Sequence, residues 1–545
     1  ALFGRIGDCS IKNLSVKGTI NTNTQSAAGI AMQVVSGKKA NIENCVSSIT
    51  ILSSISGEGT HGGIVGIVDG TANINNCAFT GAMTGSNTDS CGGLIGWTSG
   101  NSNISNSYVF ADFSQIDSTN GNTFSRTNSK SKVDLTNCYY LNGLNETPDG
   151  ANKKTEEQFA KGEVCYLLNN KVIDGSQAWY QKLGVDRYPK LNGESSETVY
   201  YCYDETQDKK IYSNTYIECT NHIYENGICQ KCDGFQEPEI IDEAYQLSNY
   251  GNLMWFQEYV NKGNININAV LVKDITANEN LLGDDGNVIG TPKYTWIPIS
   301  NVSYYSAFYQ GVFDGNGHTI SGLYAPYKEN YCGLFARCNG TIKNLGIIDS
   351  FFDSSNHYYT ASFVGFGDKN CTIGNCFSTA TINGEYYCGG IAGETYGKIN
   401  NCYFMGKITA NNNLSNSIAS DYYNNGTLEN CYYLKSCGLT TSRATGMELE
   451  QFASGEVCYL LQSGNDSIRW VQNIAEGNMP IPLADESLRV YKVTIVNGTE
   501  TSAEYTNCHY TLPIVNEGYW IDDNGENLSS NINLTKDIGI FPSAI

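Results

Sequence analysis

The sequence predicts an all-β chain: two right-handed parallel β-helix (solenoid) segments with short capping helices, plus a small C-terminal β domain fragment. Three observations predict it. An Asn-Leu or Asn-Cys dipeptide recurs at a nearly constant step, period-two alternation precedes each occurrence, and long landmarks are duplicated.

The dipeptide falls at Asn13-Leu14, Asn44-Cys45, Asn76-Cys77 and Asn137-Cys138, with Asn106-Ser107 filling the gap. The second residues are 31, 32, 30 and 31 apart. The set returns at Asn344-Leu345, Asn375-Cys376, Asn401-Cys402 and Asn430-Cys431, with steps of 31, 26 and 29. Runs such as Thr71 to Cys77 and Gly397 to Cys402 alternate with period two, which reads as strand. Such a unit cannot bury its apolar side alone, whereas stacked coils can. The Asn then sits at a corner, where its amide can bond the next coil's Asn, and the Cys faces the core. Gly62-Gly63, Gly92-Gly93 and Gly389-Gly390 open a second landmark, read as tight turns with positive φ.

The run Gln158 to Leu168 reappears as Gln451 to Leu461 at an offset of 293, the same as Cys138 to Cys431, whereas Leu2-Phe3 to Leu334-Phe335 has offset 332. The difference of 39 residues is about one coil, so the first segment carries one more coil than the second between matching ends. Thr155 to Leu168 reads as one short helix, N-capped by Thr155 and hiding the last coil's open edge. Trp179 and Tyr188-Pro189 finish that cap, with Trp470 and Pro480 or Pro482 in the second copy. Ser248 to Lys262, ended by Gly263, reads as an N-terminal capping helix for the second segment.

The expected division is 1–198 for the C-terminal part of a first β-helix with its cap and 199–240 for a linker with a Cys/His knuckle. A second β-helix with caps at both ends occupies 241–490, and a separate β domain, sandwich-like and cut before completion, begins at 491–545. Both ends of the chain read as cut from a longer protein.

Phe313 to Ile320, Cys332-Gly333-Leu334-Phe335, Ile342 to Gly346 and the Gly-Gly-apolar-apolar-Gly turns resemble the GLUG-motif repeats of bacterial cell-surface, adhesin-like proteins. The resemblance covers roughly residues 1–198 and 241–490. It implies a secreted, extracellular protein of the bacterial surface, in a family where some members are attached to immunoglobulin-cleaving metalloproteases. It predicts architecture rather than activity.

Composition narrows the function classes. The 545 residues carry a net charge of −22 and only 16% charged residues. That argues against a nucleic acid or an anionic membrane as partner, since both call for Lys/Arg patches. No run is long and apolar enough to span a bilayer. Most of the 20 Cys recur singly after Asn, which suits stacked core residues better than paired bridges.

One cluster reads as a metal site. Cys219, His222, Cys229 and Cys232 offer three thiolates and one imidazole, a tetrahedral set suited to structural zinc, and Tyr224 to Gly227 can form the hairpin between the pairs. A disulfide or uncoordinated thiols are the competing readings. No catalytic residues and no organic cofactor are expected. Asn87-Thr88-Asp89 and Asp284-Asp285 resemble pieces of polysaccharide hydrolases but read better as turns. With five His and no His-Glu-x-x-His, protease machinery is missing from the sequence. Asp314 and Asn316 could touch Ca²⁺, but a full oxygen loop is lacking. Tyr304-Tyr305, Tyr358-Tyr359, Tyr386-Tyr387 and Tyr422-Tyr423 are candidates for glycan stacking, weakened because adjacent strand residues point opposite ways. The expected function is a non-catalytic, monomeric scaffold that binds a host protein or glycan. A carbohydrate-active β-helix enzyme and a carbohydrate-binding module are the alternatives.

Overall fold

The computed structural model describes the chain apart from residues 174, 302–307, 328, 411–413, 421–424, 442, 463–469, 484, 498, 515–517 and 544–545. Strands stack coil on coil in a β-solenoid of about 14 turns, with about 9% of residues in helix. Contacts divide the chain into two units, Ala1–His222 and Ile223–Ile545.

In the first unit, Phe3–Ile6, Ala31–Val34, Val65–Val68, Ile95–Thr98 and Ser125–Thr127 form one parallel sheet. A second wall stacks Cys9–Thr22, Lys39–Ser53, Thr71–Phe79, Asn101–Ser105 and Lys132–Thr136, also in parallel. The register pairs Leu14 with Cys45 and Cys45 with Cys77. In the second unit the wall equivalent to the Phe3 series is Phe335–Cys338, Val364–Gly367 and Ala392–Thr395, continued by a parallel bridge from Ala392 to Ala419. Among the described residues, five rungs stand against four between matching ends, as the offsets predict.

The corner is built from backbone conformation upward. Asn13, Asn44, Asn76, Asn106, Asn137, Asn344, Asn375, Asn401 and Asn430 all lie at φ between 48 and 57°. Asn tolerates this left-handed region better than other residues that carry a Cβ. The kink aims each amide along the stack. Asn44 donates to Asn13 at 3.1 Å, Asn76 to Asn44 at 3.0 Å, and Asn137 to Asn106 at 2.9 Å. Asn106 donates to Asn75 rather than Asn76, at 3.0 Å. In the second unit Asn375 donates to Asn344 at 3.0 Å, Asn401 to Asn375 at 3.4 Å and Asn430 to Asn401 at 2.8 Å.

The next residue turns inward. Cys45, Cys77, Cys138, Cys376 and Cys402 are fully buried. With Cys431, their thiols donate to the carbonyl two residues back at 3.2–3.4 Å. Ser107 does the same at 2.6 Å, and its Oγ also accepts the Cys77 N–H at 3.0 Å. Burial pushes the Cys138 thiol up to about 12, which keeps the proton it donates.

The paired glycines serve a different end from the one expected. Gly62, Gly63, Gly92, Gly93, Gly389 and Gly390 do not have positive φ. They let coils touch: a Cβ at Gly93 would lie 2.0 Å from the Thr123 carbonyl oxygen.

The C-terminal cap also departs from expectation. Instead of one helix there are two, α1 (Glu156–Ala160) and α2 (Glu163–Leu168), separated by Gly162 at φ 91°. Thr155 caps α1 through a reciprocal box with Gln158. Phe159, Val164, Leu168 and Trp179 pack against Val46, Ala78, Tyr108 and Tyr139. These are the residues after each corner Cys or Ser, so they point away from the core. The cap therefore clamps the flank of four coils rather than closing the open end. Trp179 Nε1 donates to the Asn106 carbonyl at 3.1 Å and Tyr108 OH to that of Pro189 at 2.5 Å.

The segment read as a linker from residue 199 begins with part of this cap. The hairpin Tyr200–Asp204/Lys209–Ser213 follows Val199, and Asn214 ties it down by donating to Gln181 and Thr198 carbonyls at 2.8 and 2.9 Å.

In the second unit, α3 (Tyr250–Asn261) is N-capped by Asn249. Leu253, Phe256 and Val260 are fully buried in the same core as Ala269, Leu271, Phe313 and Phe335. Each such side chain contributes about 1.5–3 kcal/mol by leaving water. The flank clamp is repeated by α4 (Leu449–Ala453) and α5 (Glu456–Leu461), with Phe377, Tyr403 and Tyr432 beneath them and Tyr403 OH donating to the Pro480 carbonyl at 2.7 Å.

From Tyr491 the parallel ladder gives way. Tyr491–Asn497 pairs antiparallel with Glu500–Thr506 and parallel with Ile538–Pro542, over a separate core of Val493, Leu512, Trp520 and Ile540. The sequence offers a further apolar run in this domain, Leu512 to Val515; Leu512 lies in this core, and Val515 lies outside the described residues.

Two outcomes test this architecture. Asn375→Ala imposes a left-handed φ on alanine and removes ladder bonds, for an expected loss of about 2–3 kcal/mol, while Asn375→Gly keeps the backbone and loses about 1 kcal/mol. Urea unfolding followed in the second unit ranks them; equal losses would mean that backbone conformation is not what the asparagine supplies. His61 provides the second. It is fully buried, its Nε2 is 3.0 Å from Ser53 Oγ, and burial lowers its pKa to about 4. The unfolded imidazole, near 6.5, takes its proton first. Stability from this group is therefore complete above about pH 6.5 and falls as pH drops towards 4, by about 3 kcal/mol at most. Hydrogen exchange at the Gly92 amide, which donates to the His61 carbonyl at 2.8 Å, should report that loss, and His61→Gln should flatten it.

Candidate metal centre

The second Cys pair is positioned by a hairpin. Tyr224 pairs with Cys229 and Glu225 with Ile228. Asn226 and Gly227 between them have φ of 47 and 76°, the two positive values of a type I′ turn. The Asn226 side chain accepts the Tyr250 N–H at 3.1 Å and donates to the Thr276 carbonyl at 2.9 Å. Its carbonyl accepts the Gly251 N–H at 2.9 Å. The turn is thus fastened to the first turn of α3. A Cβ at Gly227 would fall 1.8 Å from Asn249 Oδ1, so only glycine fits there.

Beyond the hairpin the chain reverses again. Asp233 N–H donates to the Cys229 carbonyl and Cys229 N–H to that of Gly234, both at 2.9 Å. This returns Cys232 to the side occupied by Cys229.

Glu205 shapes the first pair. Its carboxylate accepts the backbone N–H groups of Thr220 and Asn221 at 3.1 and 3.0 Å, and both of their side chains donate to it as well. Those bonds, led by the Asn221 amide, hold its carboxyl below the usual range. The loop from Cys219 to His222 is wrapped around that carboxylate.

The four ligand atoms of Cys219, His222, Cys229 and Cys232 all lie within 4.8 Å of one another. A tetrahedral zinc with bonds near 2.3 Å asks for about 3.8 Å between ligand atoms, so closure needs even the widest pair to contract by no more than roughly 1 Å. Cys229 is fully buried, Cys219 nearly so, Cys232 half-buried and His222 exposed. No disulfide joins any of the twenty cysteines. The group can hold a metal ion. Four protein ligands fill a tetrahedral shell and leave no position for substrate, which is the chemistry of a structural site. All four lie within fourteen consecutive positions, so the cluster is a property of that segment. The Asn-Gly turn was legible beforehand; the part played by Glu205, distant in sequence, was not.

The other candidates fall elsewhere. Asp89 accepts from Ser90 Oγ at 2.7 Å and Asn120 Nδ2 at 2.9 Å. Asp285 accepts the Asn287 N–H at 2.9 Å in a local turn. Asp314 accepts from the Asn316 N–H and the Asn344 amide at 2.8 and 2.9 Å, and pairs with Lys343 at 3.1 Å. It serves as the first rung of the second unit's corner ladder. Tyr304, Tyr305, Tyr422 and Tyr423 lie outside the described residues. Tyr358-Tyr359 and Tyr386-Tyr387 correct the expectation that neighbours diverge. Tyr359 and Tyr387 have φ of 70 and 56°, so strand alternation stops and both members of each pair join one aromatic group.

No protein-family model matches the chain. Over 100 residues it is 36% identical to halomucin from Haloquadratum walsbyi, a match spanning 18% of this chain and 1% of halomucin. A crystal structure of a candidate immunoglobulin A1 protease from Bacteroides ovatus aligns with 44% of this chain and 92% of that one, at 15% identity and a TM-score of 0.29.

Proposed function

We propose that this chain is a non-catalytic repeat scaffold of a secreted bacterial surface protein of the GLUG type, and that it presents a binding surface to a host protein or glycan. The observation that carries the reading is the economy of the coils. Corner amides and core thiols are consumed in holding one coil to the next, and the carboxylates that suggested hydrolase pieces hold turns. What remains for interaction is the outer face. The net charge of −22 fits an exposed extracellular surface. Among the described residues no helix is long and apolar enough to cross a membrane. The test is an array of glycans and host glycoproteins probed with the full chain, run beside polysaccharide-cleavage assays. Saturable binding without turnover is the expected outcome; cleavage of any polysaccharide would replace the scaffold with an enzyme.

The same reading gives the Cys/His cluster a structural zinc. Cys219, Cys229 and Cys232 supply thiolates and His222 a neutral imidazole, and the ion replaces the apolar core that so short a segment lacks. Purified protein should carry one equivalent of zinc by elemental analysis, and Cys229→Ser should lose it. Cobalt in its place should give the intense thiolate charge-transfer absorption of a tetrahedral sulfur-rich site. Because the ligands must be deprotonated, affinity should fall with falling pH. Chelation should raise hydrogen exchange in residues 219–234 and leave the coil amides unchanged. A cobalt complex without thiolate bands would remove the zinc assignment.

A further inference from the structure

One face of the second unit carries a stacked aromatic array. Tyr331, Tyr359 and Tyr387 occur at the same place in three successive coils, with φ of 71, 70 and 56°. A left-handed backbone is costly for so bulky a residue, about 1–3 kcal/mol at each position. Their rings form a column: Tyr331 and Tyr359 are 5.1 Å apart with planes 2° from parallel, and Tyr359 and Tyr387 are 5.0 Å apart at 25°. A second column runs beside it. Tyr358 and Tyr386 are direct register partners on adjacent parallel strands, their rings 5.1 Å apart and 29° from parallel. Tyr358 also stacks on Tyr387 at 5.7 Å.

The stacking decides against one use. A sugar ring needs an open aromatic face, and here the faces are turned towards one another. Tyr358 is the most accessible of the five, at 42% exposed. The Glu385 carboxylate, adjacent in the chain, pushes the pKa of the Tyr386 hydroxyl up. A phenol beside a carboxylate has an acceptor for its proton when it gives up an electron.

We propose that Tyr358 and Tyr386 are a dityrosine-forming modification site that welds adjacent coils under peroxidase-type oxidation. The chemistry balances with hydrogen peroxide as oxidant, delivered through a haem peroxidase. Each phenol loses one electron and its hydroxyl proton, Tyr386 passing the proton to Glu385. The two phenoxyl radicals join through the ring carbons ortho to oxygen, and the hydrogens on those carbons return to the oxygens as the rings regain aromaticity. The two electrons and two protons reduce one peroxide to two waters. Tyr331, Tyr359 and Tyr387 hold the reacting rings in line. The new bond ties together residues 28 positions apart on neighbouring coils, so that those coils cannot separate.

The experiment treats the full chain, dilute enough to suppress collisions between molecules, with a haem peroxidase and hydrogen peroxide. The expected product is a monomer with dityrosine fluorescence and a linked Tyr358–Tyr386 peptide two hydrogens lighter than its parts. Tyr358→Phe keeps an aromatic ring in the stack and so the fold, and should abolish that peptide. Glu385→Gln should lower its yield without altering the circular dichroism. Dityrosine formed only between molecules, or an oxidised monomer with no link between these two residues, would overturn the proposal.

Discussion

Everything in the solenoid rests on a single corner: an asparagine held in the left-handed region, followed by a small residue with a donor to spare. The asparagine amide has a donor and an acceptor on one planar group, so it can give to one coil and receive from the next. The left-handed φ that aims it also disturbs the strand and leaves a carbonyl two residues back facing the core. A thiol meets that carbonyl at 3.2–3.4 Å and a serine hydroxyl at 2.6 Å. Buried backbone acceptors are expensive to leave unpaired, which is why the residue after asparagine is a donor at most corners and not simply apolar. Leucine takes the place at Leu14 and Leu345.

This corner gives the strand that follows it two apolar faces. One lines the solenoid core through Cys77, Phe79 and Val109. The other, through Ala78, Tyr108 and Tyr139, receives the C-terminal clamp. The clamp spans several coils at once and so resists their separation more effectively than a plug on the last coil would. α3 works differently. It inserts Leu253, Phe256 and Val260 into the core itself and closes an end. The chain thus solves the exposed-edge problem in two ways, laterally and axially.

Two populations of cysteine follow from this architecture. Corner thiols are buried and donate to carbonyls, and burial pushes Cys138 up to about 12. Thiols of that kind are poor nucleophiles. Cys219, Cys229 and Cys232 converge with an exposed imidazole on one point. The same residue type serves as packing in one place and belongs to a group that could hold a metal ion in the other, and its surroundings decide which.

Much of this was legible in the sequence. The step between Asn-Cys pairs gave the coil, the inward cysteine, the asparagine ladder and the difference of one coil, because each depends on residue type repeated at fixed spacing. The Cys-x₂-His and Cys-x₂-Cys pairs with an Asn-Gly turn between them announced the cluster for the same local reason. What could not be read depended on contacts between distant segments. The paired glycines looked like turns, but only the neighbouring coil reveals the close approach they permit. The cap looked like a lid, because the outward face of the strand cannot be seen as apolar until Ala78, Tyr108 and Tyr139 line up in space. The hairpin after Val199 was hidden because its tie to the cap runs through one asparagine side chain. The tyrosine pairs looked divergent, since alternation is the rule for strands, and only the left-handed backbone at Tyr359 and Tyr387 turns neighbours to the same side. Spacing along the chain determined what repeats and what could bind metal. Stacking in three dimensions decided which faces meet, because a face exists only once coils lie on one another.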